Sequence, residues 1–215
     1  VYKRQVIKGH ATINSDKTIS IKSQDASLII TGTHIIIATG ARSREISSLA
    51  QDGKKIIGYR DAMTLKKQPK DLIIVGSGAI GIEFAYFYNS MGTNVTIIEY
   101  LPKIAPLEDD DISKELEKIL KKQGINVMTS SELTESEIVN NKVNIKIKVE
   151  NSKIIDLNAD VVLSAVGIKS NIEGVGLENI GIETENDKIL VDDFYKTNID
   201  GFYAIGDIVH GPALA

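Results

Sequence analysis

Between Asp71 and Glu99 the chain carries a pattern that few folds accommodate. Asp71-Leu72-Ile73-Ile74-Val75 reads as a buried strand. Gly76-Ser77-Gly78-Ala79-Ile80-Gly81 follows, then a helical stretch from Ile82 to Met91, then a second strand, Asn94-Val95-Thr96-Ile97-Ile98, ending at Glu99. Gly76 lets the chain turn tightly. Gly81 lets the helix pack close to the strand, and Gly78 leaves bare backbone for a pyrophosphate to approach. The helix N-terminus offers unpaired N–H groups and a positive dipole end to phosphate. Glu99 lies 23 residues after Gly76, at a strand end where a carboxylate can accept both hydroxyls of a ribose and would repel a 2′-phosphate. No arginine follows closely to reverse that preference. The pattern predicts a dinucleotide site that favours NAD over NADP; the alternative is a tight strand–helix turn with no ligand.

The 215 residues suffice for one large or two small domains, and 42% hydrophobic residues suffice for a packed core. A net charge of −4 gives no electrostatic case for nucleic acid. No apolar run approaches the roughly 20 residues that span a bilayer, and no signal-peptide pattern opens the chain. No membrane partner is therefore expected, and the expected location is cytoplasmic, or the mitochondrial matrix in a eukaryote. The absence of cysteine excludes disulfides, thiolate metal sites and dithiol chemistry within these residues. His10, His34 and His210 show no metal-ligand spacing, so no metal site is assigned.

Elsewhere the chain alternates short strands with connections. Gln5–Ala11 and Thr18–Lys22 flank a polar turn at Asn14-Ser15-Asp16, and Ser27–Thr31 and His34–Ala38 flank Gly32. The run Ile35-Ile36-Ile37-Ala38 predicts a strand buried on both faces. Asp61 caps a short helix over Asp61–Leu65. In the helix of the glycine turn, Ile80, Phe84, Phe87, Tyr88 and Met91 form one apolar stripe facing the sheet, and Gly92 ends it. A second helix runs from Asp110 to Gln123; capping and dipole complementarity account for the acids Glu108 to Asp111 at its start. Residues 125–129 give another parallel strand. Val143, Ile145, Ile147 and Val149 alternate with polar residues, and with 133–139 and 153–157 they make a three-stranded antiparallel insertion. Asp160–Gly167 is apolar again and echoes Ile35–Gly40, so the two runs read as the crossings into and out of an inserted domain.

Several separated motifs agree with one family. Ile37-Ala38-Thr39-Gly40-Ala41, Gly76–Glu83, Ala165-Val166-Gly167 and Tyr203-Ala204-Ile205-Gly206-Asp207 stand in the order found in the FAD-dependent pyridine nucleotide–disulfide oxidoreductases, which the whole chain resembles. Gly81-Ile82-Glu83-Phe84, Val95–Glu99, Gly176–Ile182 and the closing Gly211-Pro212-Ala213-Leu214-Ala215 most resemble its dihydrolipoamide dehydrogenase branch. The resemblance implies an α/β fold: a Rossmann-like NAD-binding domain, its parallel sheet carrying the antiparallel insertion, set within a partial FAD-binding domain. The expected boundaries are 1–43 for the first FAD segment, 44–168 for the NAD domain and 169–215 for the return segment.

By the same resemblance, Gly76, Ser77, Gly78, Ala79, Ile80 and Gly81 hold the NAD pyrophosphate, Ile82 and Glu83 belong to the same NAD site, and Glu99 holds the adenine ribose. Leu133 falls at the adenine wall, where an ordinary core leucine is the alternative, and Gly167 falls beside the nicotinamide half. Glu83 takes a supporting place near the flavin. Ala11, Thr39, Gly40, Ala41, Asp207, Ala213, Leu214 and Ala215 fall at the FAD site, Asp207 toward the ribityl chain. The family's cysteine pair, catalytic histidine and dimerising domain have no match in these residues, so the chain reads as the middle of such an enzyme, inactive alone toward dihydrolipoamide. The full enzyme would be a homodimer served by the lipoyl domains of a 2-oxo acid dehydrogenase complex. A coenzyme A–disulfide reductase or NADH oxidase, and a stand-alone NAD-binding module, remain open as alternatives; a flavin-free NAD dehydrogenase has no need of Asp207 or the Ala38-Thr39-Gly40 crossing.

Overall fold

A computed structural model describes residues 4–24 and 26–211. The chain divides into two compact units, residues 1–42 with 169–215, and residues 43–168.

In the first unit, β1 (His10–Ile13), β2 (Ile19–Lys22) and β3 (Ser27–Ile30) form an antiparallel sheet in sequence order. The first strand starts later than the expected Gln5, because the hairpin pairs only His10–Ile13 with Ile19–Lys22. Residues 4–9 are exposed. Among the described residues, β4 (Ile35–Ile37) pairs only with a late strand, Phe202–Ala204, in parallel. Ile37 is buried, but Ile36 is 62% exposed. The expectation of a doubly buried strand fails here: among the described residues only one face of this pair is covered. The core of the unit gathers Ile13, Ile37, Leu177, Ile182, Ile189, Phe202, Ala204, Ile208 and Val209. β5 (Ala41–Ser43) leads out of this unit.

The second unit is built on a five-stranded parallel sheet. After β6 (Ile56–Ile57) and α1 (Tyr59–Ala62) come β7 (Asp71–Val75), α2 (Ala79–Ser90), β8 (Asn94–Ile98), α3 (Asp110–Lys122) and β9 (Asn126–Met128). The antiparallel strands β10 (Glu132–Val139), β11 (Lys142–Lys148) and β12 (Ile154–Ala159) follow, then β13 (Val161–Ser164). The parallel order is β6-β13-β7-β8-β9. Alternate strand residues serve two cores. Leu72, Ile74, Val95, Ile97, Val161 and Leu163 pack with the helices. Ile73, Val75, Ile98 and Val162 pack with Val143, Ile145 and Ile147 of the antiparallel layer. Burial on both faces is why these strands read as unbroken apolar runs while β11 alternates. α1 starts one residue after Gly58, so Asp61 is not its cap; its carboxylate sits in the first turn and accepts the Gly58 N–H at 3.2 Å.

α2 corrects the expected stripe. Gly81, Ala85 and Tyr88 are its buried residues, whereas Phe87 and Met91 are more than half exposed. Small side chains at 81 and 85 let the axis approach the sheet, which turns the larger apolar residues to the flank, about one 100° residue step round the helix. Tyr88 reaches across to donate its hydroxyl to the Ala62 carbonyl at 2.6 Å, and burial pushes its phenol pKa up.

β14 (Ile168–Ser170) leads back to the first unit, where β15 (Thr184–Glu185), β16 (Lys188–Ile189) and β17 (Phe202–Ala204) complete it. No helix among the described residues is long and apolar enough to cross a membrane.

Candidate functional site

In the second unit, three glycines of one turn answer to different demands. Gly76 has φ +104, and a Cβ there would stand 2.4 Å from the Ala165 carbonyl oxygen. A Cβ at Gly81 would stand 2.1 Å from the Gly76 carbonyl oxygen. The protein's own packing requires both. Gly78 has φ −70 and ψ −178, open to any residue, and nothing lies within 4 Å of where its Cβ would be. No contact among the described residues asks for glycine there. It is the N-cap of α2 and offers no side-chain cap. No described acceptor takes the N–H groups of Gly78, Ala79 or Ile80. The turn therefore presents a row of unanswered donors under open space, at the positive end of a helix dipole.

Glu99 is 7% exposed and is committed to this turn. Its Oε2 accepts the Ser77 N–H at 2.8 Å and the Ser77 hydroxyl at 2.6 Å, and its Oε1 accepts the Leu101 N–H at 2.8 Å. A carboxylate has about four acceptor sites. With three filled, one site on Oε1 is left for a sugar hydroxyl, fewer than the two the sequence suggested. Ser77 is fully buried, and its carbonyl accepts the Ala105 N–H at 3.0 Å, so the turn is held from both sides. Beside Glu99, a cavity of about 350 Å³ is lined by Tyr100, Leu101, Ser130, Lys148 and Val149 among others. Sequence reading missed it, because Glu132 of β10, Lys148 at the end of β11 and the two residues after it reach its wall from a distance.

The other residues expected here are distributed. Ala79 and Glu83 are exposed; Ile80 and Ile82 are half-buried against the helix-side core. Leu133 is 9% exposed and packs in the core beneath the antiparallel layer. It does not line the cavity beside Glu99. Gly167, at φ +101, is exposed, and its carbonyl accepts the Arg44 N–H at 2.9 Å.

In the first unit, parallel pairing of Ile35–Ile37 with Phe202–Ala204 brings two carboxyl ends side by side. Thr39-Gly40 leaves one and Gly206-Asp207 the other, and ligands of open parallel sheets sit beyond such ends. Gly40 (φ +65) and Gly206 (φ +77) have nothing within 4 Å of a Cβ position. Asp207 is half-buried, and no described residue donates to its carboxylate. Its carbonyl accepts the Ser170 hydroxyl at 2.8 Å and the Lys188 ammonium at 2.6 Å. Asn171 donates its N–H to the Gly40 carbonyl at 2.8 Å and its side-chain amide to the Thr39 carbonyl at 3.0 Å. Arg42 donates to the Asn171 Oδ1 at 2.8 Å and grips Glu173 at 3.0 and 3.1 Å. Hydrogen bonds from Arg42 and Lys169 hold the Glu173 carboxyl down to about 2. Ala41 is buried, and Ala11 is exposed on β1 in the antiparallel sheet. Ala213, Leu214 and Ala215 lie outside the described residues. Ser170, Asn171 and Lys188 were not singled out from sequence.

Residues 2–215 match the model of the pyridine nucleotide-disulphide oxidoreductase family. A dihydrolipoyl dehydrogenase of Rhizobium etli is 44% identical over 185 residues, covering 86% of this chain and 38% of the relative. One of Chlorobaculum tepidum is 39% identical over 212 residues, covering 98% of the chain and 45% of the relative. The solved structure of the HOCl-induced flavoprotein disulfide reductase of Escherichia coli superposes with a TM-score of 0.84 at 28% identity, over 98% of this chain and 47% of that one. The chain thus spans less than half the length of these relatives. Its α/β architecture is that of the flavoprotein disulfide reductases, whose family works with FAD and NAD(H). A glycine turn with unanswered donors, an acid at the next strand end and a matched family model over nearly all its residues place this chain in the pyridine nucleotide-disulphide oxidoreductase family.

Proposed function

We propose that this chain supplies the NAD-binding domain, residues 44–168, and part of the FAD-binding domain, residues 1–43 and 169–215, of a dihydrolipoamide dehydrogenase. The observation that carries the NAD reading is Gly78, a glycine that no contact among the described residues requires, set over N–H groups with no described acceptor. Gly78, Ala79 and Ile80 would donate to the pyrophosphate. Glu99 would accept one ribose hydroxyl while disfavouring a 2′-phosphate in the same place. The cavity at Tyr100 and Leu101 has room for an adenine.

The strand-end crevice fits a flavin nucleotide on the same logic. Gly40 and Gly206 leave backbone open, and the Asp207 carboxylate has acceptor capacity for a ribityl hydroxyl. When bound, FAD and NAD⁺ supply the electron transfer, as hydride to the nicotinamide. The chain's own residues bind and orient; without cysteine they cannot exchange thiols. The 215 residues alone are therefore expected not to turn over dihydrolipoamide. Joined to a cysteine pair, the enzyme would act as a homodimer on lipoyl domains of a 2-oxo acid dehydrogenase complex.

The test is titration with NADH and NADPH by nucleotide fluorescence. NADH should bind more tightly, and Gly78→Val should abolish binding while leaving the unfolding transition in place. Undiminished NADH binding by that variant would overturn the reading. A second reading, a reductase of a different disulfide, is favoured by the likeness to the Escherichia coli enzyme. Comparing dihydrolipoamide with other thiol substrates in the cysteine-bearing enzyme separates the two.

A further inference from the structure

We propose that Asn171 is a positioning residue for the flavin site, with Ser170 acting beside it. The inference rests on the flavin reading above and concerns only the first unit. Thr39-Gly40 emerges from its strand into a turn at which Gly40 is in the left-handed region with nothing within 4 Å of a Cβ position. Asn171 engages two successive carbonyls of that turn, those of Thr39 and Gly40.

The peptide unit is planar and trans, so a carbonyl held on one side directs the N–H of the same unit to the other. Fixing the Thr39 carbonyl thus aims the Gly40 N–H away from Asn171. That N–H has no described acceptor. The Asn171 amide cannot flip freely, because its Oδ1 accepts from Arg42, whose guanidinium is clamped on Glu173. One residue earlier, the Ser170 hydroxyl holds the Asp207 carbonyl, which Lys188 also engages. Two adjacent residues therefore tie together the chain segments leaving both strand ends. The flavin would meet a backbone donor and a carboxylate whose spacing is set before it arrives.

Asn171→Asp keeps the size, the backbone N–H and an oxygen for Arg42, but turns an acceptor toward the Thr39 carbonyl in place of the donor. In the flavin-bearing protein, FAD affinity is read from flavin fluorescence and the flavin environment from visible circular dichroism. Thermal unfolding of the apoprotein is followed alongside. FAD binding should weaken about tenfold, the order expected for a lost hydrogen bond plus a facing acceptor, with an altered dichroism band and an unchanged apoprotein transition. NADH affinity should not move, and Asn171→Gln should recover part of the loss.

FAD affinity within about twofold of the parent, or a loss that merely follows a lowered apoprotein transition, would overturn the proposal. Should Asn171→Asp not fold, Ser170→Ala carries the test, with weaker FAD binding at unchanged apoprotein stability expected and unchanged FAD binding overturning it. If the parent protein itself fails to take FAD, the flavin reading falls first, and that result is distinct from a failure of the variant.

Discussion

The two candidate sites are built in opposite ways. At residues 76–81 the geometry is mostly local: one turn holds the glycines, the helix start and the donors, while Glu99 at the end of the next strand and Ala105 beyond it brace Ser77. At the strand-end crevice nothing is local. Thr39-Gly40 and Gly206-Asp207 meet through a parallel pairing and are tied by residues 170 and 171. The first site is made by steric exclusion of side chains, the second by hydrogen bonds between segments far apart in sequence. A site of the first kind fails abruptly when a Cβ is added, whereas one of the second kind should loosen by degrees.

The sharpest way to break this contrast lies within the turn. Gly76→Ala combines a left-handed backbone with a Cβ 2.4 Å from a carbonyl oxygen. It should cost about 3 kcal/mol in urea unfolding, the sum expected of strain and overpacking. Gly78→Ala, in open space, should cost less than about 1 kcal/mol and weaken NADH binding instead. Equal stability losses for the two would erase the distinction between a glycine the fold needs and one the ligand needs.

Glu99→Gln comes next. It removes a charged acceptor from the Ser77 N–H and hydroxyl and should cost about 2 kcal/mol while raising NADPH affinity relative to NADH, read by parallel titrations. Tyr88→Phe, which strips the hydroxyl from the buried Ala62 carbonyl, should cost about 1 kcal/mol and leave both nucleotides unaffected. The smallest effect belongs to the crevice. The Glu173 carboxyl, lowered to about 2 by Arg42 and Lys169, contributes in full above the ordinary 4.5. That contribution is lost as pH falls from there through about 2. A carboxyl titration by NMR should find its midpoint near the lower value, and one near 4.5 would dissolve the Arg42 clamp.

What the sequence disclosed follows the same division. The glycine turn, the doubly buried strands and the alternation of β11 are periodic or contiguous, so they could be read directly. The exposed Ile36 could not, since an apolar run does not say how many neighbours its strand has. Nor could the rotation of α2, where a stripe of large residues drew attention from Gly81 and Ala85, whose smallness sets the approach to the sheet. Asn171 and Ser170 carried no local signal: an asparagine after a serine is common in turns, and its partners at Thr39 and Asp207 become visible only once the strands are paired. The occupancy of Glu99 was hidden for a related reason, because its value as a ribose acceptor depends on how many of its lone pairs the protein has already used.

That occupancy bears on any attempt to retune coenzyme choice. An arginine installed at position 99 to welcome a phosphorylated sugar would strip the Ser77 N–H and hydroxyl of the one oxygen both donate to. The engineered chain would need a replacement anchor for Ser77, or the swap would unfasten the very loop it was meant to re-educate.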